Sequence, residues 1–362
     1  MIIAVPKESL EGESRVALDP NTVSRLTQQG LKIHMESGAG EKSFFPDSAY
    51  TAAGATVISD GRALWSSADI LLKINPPTEA EANLLKRNAI LIGLLNPFVN
   101  QDIIGKLSEK GVTAFALELI PRISRAQSMD VLSSQASIAG YKAVLIAAMA
   151  SGKYFPMLTT AAGTIPPAKV LIIGAGVAGL QAIATARRLG AVVEAYDVRA
   201  EVREQVQSLG AKYVSVDIQE ETATQEGYAK EVSKAAQEKI QQTLTEHVKK
   251  SDIVITTAQV PGKKAPRIIT ENMIAQMSAG SVIVDLAAEQ GGNCAYSQPA
   301  KTVIQHGVTI LGPVNVPASM PIHASQMYAK NISTFLKALL ENGKDEIIQQ
   351  SCVTRKKGEV NP

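Results

Sequence analysis

Lys169 to Arg199 reads KVLIIGAGVAGLQAIATARRLGAVVEAYDVR. An apolar run, KVLII, passes without a break into Gly174, Gly176 and Gly179, spaced G-x-G-x-x-G. The glycines open a helical stretch. VVEAY then forms a second apolar run that ends at Asp197. Strand, glycine turn, helix, strand and terminal acid in this order make the opening of a dinucleotide-binding Rossmann unit. Gly174 permits a tight turn, Gly176 lets the backbone approach a pyrophosphate, and Gly179 lets helix and strand pack closely. Val177 and Ala178 head the helix, whose free N–H groups and positive dipole end favour an anion. A glycine-rich turn without a ligand has the same spacing, but not the acid in register. Asp197 can accept hydrogen bonds from both adenosine ribose hydroxyls and would repel a 2′-phosphate, which favours NAD(H) over NADP(H). Val198 and Arg199 adjoin it. Arg199 slightly weakens that preference, and is otherwise a surface charge or a neighbour of the adenine.

A second α/β series surrounds this unit, with strands expected at KYVSV, DIVITT, SVIVDLA and VTILG. Ligands of open α/β sheets bind beyond the carboxyl ends of the strands. Thr256–Pro266 and Asp285–Asn293 leave two such ends, so Ala258, Gln259 and Val260 are candidates for cofactor contacts. Gly262, Gly291 and Gly292 are better read as turns. Asp217–His247 opens as an acidic polar loop, either a mobile lid over residues 217–231 or a solvated insertion before an exposed helix. Tyr228 is the residue there able to reach back and pack.

Towards the N-terminus, MIIAVP, KIHMES, ATVIS, DILLKI, AILIGLL and VTAFALEL alternate with helical patterns such as NTVSRLTQQG. Near-continuous apolar strands between helices imply a parallel sheet covered on both faces. AVLIAAMA (Ala143–Ala150) reads as a buried helix leading from one domain to the next. SQMYAKNISTFLKALLENG has apolar residues near 3.6 spacing and is expected to pack back onto the first domain. The fold class is therefore α/β, with two doubly wound Rossmann-like domains and NAD(H) in a cleft between them. The first domain is expected over 1–135 plus about 317–362, the second over 136–316.

Bulk properties narrow the rest. The 362 residues suffice for two cores, and a net charge of +2 gives no argument for nucleic acid. The two cysteines lie far apart and the four histidines are scattered, so a reducing compartment and no metal site are expected. The start, MIIAVPKESLEGESR, lacks a signal peptide's pattern. No apolar run approaches the ~20 residues of a membrane span. A soluble, cytoplasmic chain that can dock onto a membrane protein is expected.

A polar stretch, RISRAQSMDVLS (Arg122–Ser133), precedes the buried helix. Hydride-transfer enzymes usually bring an acid–base group to the substrate. Lys73 ends a strand and could face the cleft, and Arg15 could bind a carboxylate, but AILIGLLNP ends in Leu94-Leu95-Asn96 without a histidine. Lys7, Glu8, Glu13, Arg15, Val16 and Ala17, with ESGAG (Glu36–Gly40), resemble the alanine dehydrogenase and transhydrogenase superfamily. RISRAQSMDVLSSQASIAGYKAV, GYAKE (Gly227–Glu231), ITTAQVPGKKAP and GSVIVDLAAEQGGNC resemble its proton-translocating NAD(P)+ transhydrogenase branch, in the NAD(H)-binding domain of the alpha subunit.

That resemblance, which covers nearly the whole chain, implies direct hydride transfer between NAD(H) here and NADP(H) on a partner domain. A membrane-embedded proton-channel domain would couple the transfer to proton movement. It implies a homodimer on the cytoplasmic face of the inner (plasma) membrane, peripheral through its partner subunits. The chain would be a separate subunit or a piece of a longer alpha chain. No substrate acid–base group is then needed, and Arg15 and Lys73 become structural remnants. By the same resemblance Arg122, Gln127, Asp130 and Ser133 orient the nicotinamide, and Gly227 and Tyr228 belong to the loop that folds over bound NAD(H). Ser124 and Arg125 can be read as solvated loop, Ser128 as the cap of a helix starting near Met129, and Ser134 and Gln135 as partners of backbone groups. The other readings are an alanine-dehydrogenase-like oxidoreductase and a non-catalytic NAD(H) sensor.

Overall fold

The computed structural model describes residues 1–216, 233–260 and 263–354. It divides into two compact units, Met1–Gln135 with the segment from Pro317 onward, and Ala136–Val316. The expected lid over 217–231, with Gly227 and Tyr228, and the turn at Gly262 lie outside the described residues.

In the first unit the apolar runs become β1 (Ile2–Val5), β2 (Lys32–Glu36), β3 (Thr56–Ile58), β4 (Ile70–Leu72), β5 (Ile90–Gly93) and β6 (Thr113–Ala116). Among the described residues they form one parallel sheet in the order β3-β2-β1-β4-β5-β6, which reverses direction between β1 and β4. Side chains alternate across a strand, so each strand feeds two cores. Ile3, Val5, Ile33, Met35 and Leu72 meet Tyr50 and the helix Pro321–Glu341 on one face. Ala4, Leu71, Leu91 and Ala114 meet Leu64, Trp65, Leu85 and Leu107 on the other. The late helix joins this unit because Ala324, Tyr328, Ile332, Phe335 and Leu339 make one buried stripe at helical spacing. Phe335 meets Phe115 edge-on, with ring centroids 5.5 Å apart.

The second unit begins with a hairpin, β7 (Leu158–Thr160) and β8 (Gly163–Ile165). In sequence TTAAGTI reads only as a connector. The hairpin is mostly exposed, so no buried face imposed an alternating apolar pattern on it. A mixed sheet comes next, made of β9 (Lys169–Ile173), β10 (Val192–Tyr196), β11 (Lys212–Tyr213), β12 (Ile253–Thr256), β13 (Val282–Asp285), β14 (Thr302–Gln305) and β15 (Val308–Leu311). Its order is β11-β10-β9-β12-β13-β15-β14, with only the β14–β15 pairing antiparallel among the described residues.

The helix Val131–Ala150 corrects one expectation. Its 20 residues, at mean hydropathy 1.2, are long and apolar enough to cross a membrane by length and composition. The plainly apolar run Ala143–Ala150 is less than half of it, which is why no run of that length was expected. Ala143, Val144 and Ala147 lie in the core of the second unit with Val170, Ile172, Ala182 and Ile183. That burial explains the composition without a bilayer.

Candidate functional site

The glycine turn is built from backbone geometry. Gly174 has φ +97°, a region open to glycine at no steric cost. Its N–H donates to Tyr196 O at 2.8 Å and ties the turn to the end of β10. A Cβ on Gly179 would stand 1.8 Å from Gly174 O, so the helix Val177–Arg188 starts against the turn only because that position is bare. Gly140, on the helix Val131–Ala150, is equally constrained, since its Cβ would stand 2.0 Å from Ala178 O. Gly176 differs. It is the N-cap of the helix Val177–Arg188, makes no side-chain cap bond, and a Cβ there would meet nothing within 4 Å. The first N–H groups of a twelve-residue helix therefore open onto free space beside Gly176, with Val177 exposed. A pyrophosphate fits this arrangement: bare backbone, unsatisfied donors and a positive dipole end.

Asp197 follows β10 and is buried, with both carboxylate oxygens engaged. Oδ2 accepts from Ala175 N at 2.7 Å and from an Arg199 terminal nitrogen, Nη2, at 2.9 Å. Oδ1 accepts Arg199 N and Nε, each at 2.9 Å. Hydrogen bonding to Asp197 pushes the Arg199 guanidinium pKa further up, against the opposing effect of burial. Val198 is half-buried between them. Arg199 is thus neither a plain surface charge nor a simple adenine neighbour in this structure.

The loop after β12 is fixed by residues that no sequence motif singled out. Thr257 Oγ1 donates to Gly174 O at 3.0 Å. Asn293 is fully buried and clamps Ala258 on both sides, its Oδ1 accepting Ala258 N at 3.0 Å and its Nδ2 donating to Ala258 O at 2.8 Å. Gln259 Nε2 donates to Leu286 O at 2.8 Å, and Val260 O accepts from Lys263 N at 3.1 Å. Ala258 therefore has its own backbone pair committed, while Gln259 stays exposed at the end of the sheet. Buried Asp285 holds the neighbouring loop through Thr256 Oγ1, Ala287 N and Cys294 N. The sequence signal was slight: a strand ending in Asp, then GGN.

In the first unit the RISRAQSMD stretch is a tight 3-10 segment, Ser124–Met129, with Ala126 and Met129 buried as plugs at threefold spacing. Asn331 Nδ2 donates to Ser128 O at 2.8 Å, and Arg125 pairs with Asp345. Arg125 is thus a docking group and not a solvated bystander. The helix starts at Val131 and not near Met129, and its cap is Asp130 instead of Ser128. Asp130 accepts Ser133 N at 2.8 Å and Ser133 Oγ at 2.6 Å. Arg122 and Gln127 are exposed. Asp130 and Ser133 are directly joined, whereas Arg122 and Gln127 are held near them only by sequence.

Arg15 and Lys73 prove to be interior residues. Arg15 forms a two-pronged bond to Glu13, at 2.8 Å and 2.7 Å, and donates to Gln135 Oε1 at 2.9 Å. Burial raises the Glu13 pKa, but the Arg15 and Asn75 bonds outweigh it and bring the carboxyl down to about 2. Lys73 is fully buried, against the expectation that it faces open space, with Nζ 3.4 Å from Glu8 Oε2 and 3.7 Å from Glu81 Oε2. At the end of β5, Leu95 N and Asn96 N donate to Glu118, and Asn96 takes φ +44°. Burial pushes the Glu118 pKa up.

Comparison with known proteins places this geometry. Residues 4–139 match the family described as alanine dehydrogenase/PNT, N-terminal domain, and residues 143–361 its C-terminal domain. The chain belongs to the alanine dehydrogenase/PNT family. Within that family it is 47% identical to the first of the separately encoded segments of the NAD(P) transhydrogenase alpha subunit of Rhodospirillum rubrum, over 100% of this chain and 98% of the relative. It is 32% identical to the alanine dehydrogenase of Bacillus subtilis, over 89% of this chain and 81% of that enzyme. The solved transhydrogenase structure from Sinorhizobium meliloti superimposes with TM-score 0.88 at 42% identity, covering 100% of this chain and 99% of that one. The family's two-domain α/β architecture with parallel Rossmann-like sheets is that of this chain.

Proposed function

We propose that the chain is the NAD(H)-binding component of a proton-translocating NAD(P)+ transhydrogenase, an enzyme that works as a complex. The observation that carries this reading is the end of β5, where Leu94, Leu95 and Asn96 offer no acid–base side chain and Glu118 is spent on the backbone of Leu95 and Asn96. Oxidation of an amino or hydroxy acid needs a group there to move a proton. Hydride transfer between two nicotinamides does not. The identity of 47% to a transhydrogenase subunit against 32% to an alanine dehydrogenase supports the same side.

Bound NAD(H) supplies the nicotinamide carbon that gives or receives the hydride. The chain's own residues bind and orient. Gly174, Gly176, Val177, Ala178 and Gly179 hold the pyrophosphate, and Asp197 with Val198 and Arg199 the adenosine end. Gln259 and Val260 are contacts at the sheet end, where Asn293 sets the path of Ala258. Arg122, Gln127, Asp130 and Ser133 orient the nicotinamide carboxamide. Asp130 suits that task, because Ser133 takes one lone-pair direction on each of its oxygens and leaves acceptor capacity for an amide NH2. Gly227 and Tyr228 close over the nucleotide. Fixing a ring's rotation is worth most when reaction demands two aligned rings at near-contact distance.

The partners are an NADP(H)-binding domain and a membrane-embedded proton-channel domain, which keep the chain on the cytoplasmic face of the membrane. A homodimer through the second unit is supported by exposed Tyr141, Met149, Tyr154, Met157 and Ile165 on the long helix, the hairpin and their junction. The test mixes the chain with an NADP(H)-binding domain, NADPH and an NAD+ analogue, and follows reduction of the analogue. A parallel assay offers pyruvate, ammonia and NADH. Transfer in the first and silence in the second are expected. NADH oxidation in the second overturns the proposal.

A further inference from the structure

Resting on the cofactor reading above, the acid meant for the adenosine ribose is already full. Each oxygen of Asp197 accepts two hydrogen bonds, and a carboxylate offers about four lone-pair directions. A ribose diol therefore finds no acceptor until a donor leaves. Two of the four donors, Ala175 N and Arg199 N, are backbone and hold the turn. The other two, Nε and Nη2, belong to one side chain and can leave together by rotation. The main chain stays when they go, because Tyr213 Oη donates to Asp197 O at 2.7 Å and reaches Arg199 O at 3.4 Å. The same fork also neutralises the charge that would repel a 2′-phosphate.

We propose that Arg199 is the specificity-determining residue of the adenosine site. Its guanidinium occupies the acceptors of Asp197 that the ribose hydroxyls take and is displaced when the nucleotide enters. The displaced cation then stands at the side of the ribose where a 2′-phosphate would lie. Arg199 thus lowers affinity for NADH by competition and narrows the margin over NADPH. Arginine suits this role because its planar fork imitates a diol's two parallel donors, which a lysine cannot.

The test titrates NADH and NADPH separately into the wild-type chain, Arg199→Met and Arg199→Lys, with folding checked by circular dichroism. Arg199→Met keeps the aliphatic stem. It is expected to bind NADH roughly tenfold more tightly and NADPH no more tightly, so that the ratio of the two affinities rises about tenfold. Arg199→Lys should move both values the same way by less, and it carries the test if the Met variant does not fold. An unchanged ratio in the folded variants, or NADH affinity that falls with loss of the fork, overturns the proposal. Failure of the wild-type chain to bind NADH would overturn the cofactor reading itself, whereas wild-type binding with an unmoved ratio overturns only the role of Arg199.

Discussion

The two units solve the same chain path with different chemistry. In both, four successive strands stack in the order third, second, first, fourth, and an acid lies at the end of the second. In both, that acid accepts the N–H of the residue two beyond the end of the first strand: Lys7 N to Glu36 Oε2 at 2.8 Å, and Ala175 N to Asp197 Oδ2 at 2.7 Å. Beyond that bond the two chains part. The second unit passes at once into a twelve-residue helix with an open N-terminus. The first has Pro6 where the second has Gly174, and it runs through a loop that does not become helical until Pro20. Glu8 and Glu13 in that loop fold inward, onto Ile74 N, Asn75 and Arg15. Strand order alone therefore does not make a nucleotide site. The turn does, and the same topology with an acidic loop makes a scaffold.

The strongest way to break the comparison is to fill the turn. Gly179→Ala puts a methyl 1.8 Å from Gly174 O, with no flexible side chain to yield. NADH affinity is expected to fall by ~100-fold or more, as a strained helix start carries its donors away from the pyrophosphate. Gly105→Ala in the first unit meets nothing within 4 Å and sits inside the helix Gln101–Glu109. It should leave affinity alone and stabilise by roughly 0.5–1 kcal/mol. Equal effects of the two variants on NADH titration would mean that the turn is not what separates the units.

The second test addresses the scaffold. Glu13→Gln strips a buried guanidinium of its carboxylate and should destabilise by about 3 kcal/mol at neutral pH, measured by chemical denaturation. The sign with pH comes from the depressed carboxyl. Its folded pKa of about 2 lies below the ordinary 4.5, so the stabilisation is fully present above pH 4.5 and is lost as pH falls towards 2. The wild-type chain should show that acid loss and the glutamine variant should lack this component. Identical acid profiles would mean that Arg15 does not hold Glu13 ionised.

A third test separates binding from orientation. Asp130→Ala removes the acceptor of the proposed carboxamide contact and the cap on Ser133 N. Hydride transfer to a partner-bound nicotinamide is expected to slow by about 10- to 100-fold while NADH affinity changes by less than about threefold. Equal losses in both would make Asp130 a binding residue.

Legibility in the sequence divides along physical lines. Both sheets were readable because parallel strands buried on two faces are continuous apolar runs, as in KVLII and DILLKI. The glycine turn was readable because steric demand leaves one residue type. The short helices Gly61–Ser67 and Glu79–Leu84 are too brief for periodicity to speak, and β14 sits at a sheet edge with only Val303 and Gln305 half-buried. Polar geometry was least legible. That Asn293 clamps a backbone 35 residues away, or that Arg199 folds back onto Asp197, depends on tertiary placement which no local pattern encodes. Arg125 reads as solvated for the same reason, since its partner Asp345 lies 220 residues on.

The finest division between the units concerns the two acids, which share a bond and differ in use. Asp197→Asn keeps the side chain's shape but turns one acceptor oxygen into a donor nitrogen. It loses either the Ala175 bond or the ribose contact, and it frees Arg199. NADH affinity should fall by about tenfold, the cost of a charged hydrogen bond or two partly recovered by the amide oxygen. Glu36→Gln makes the same chemical change at the matching position, where the acid supports only a scaffold turn, and NADH affinity should not move. The useful quantity is the difference between the two variants in one titration series, because each controls for the loss of an acid-to-turn bond. If both lower affinity alike, the turn bond is the whole effect and Asp197 has no ribose contact. If only Asp197→Asn does so, the shared bond builds the turn in both units and the ribose is read in one.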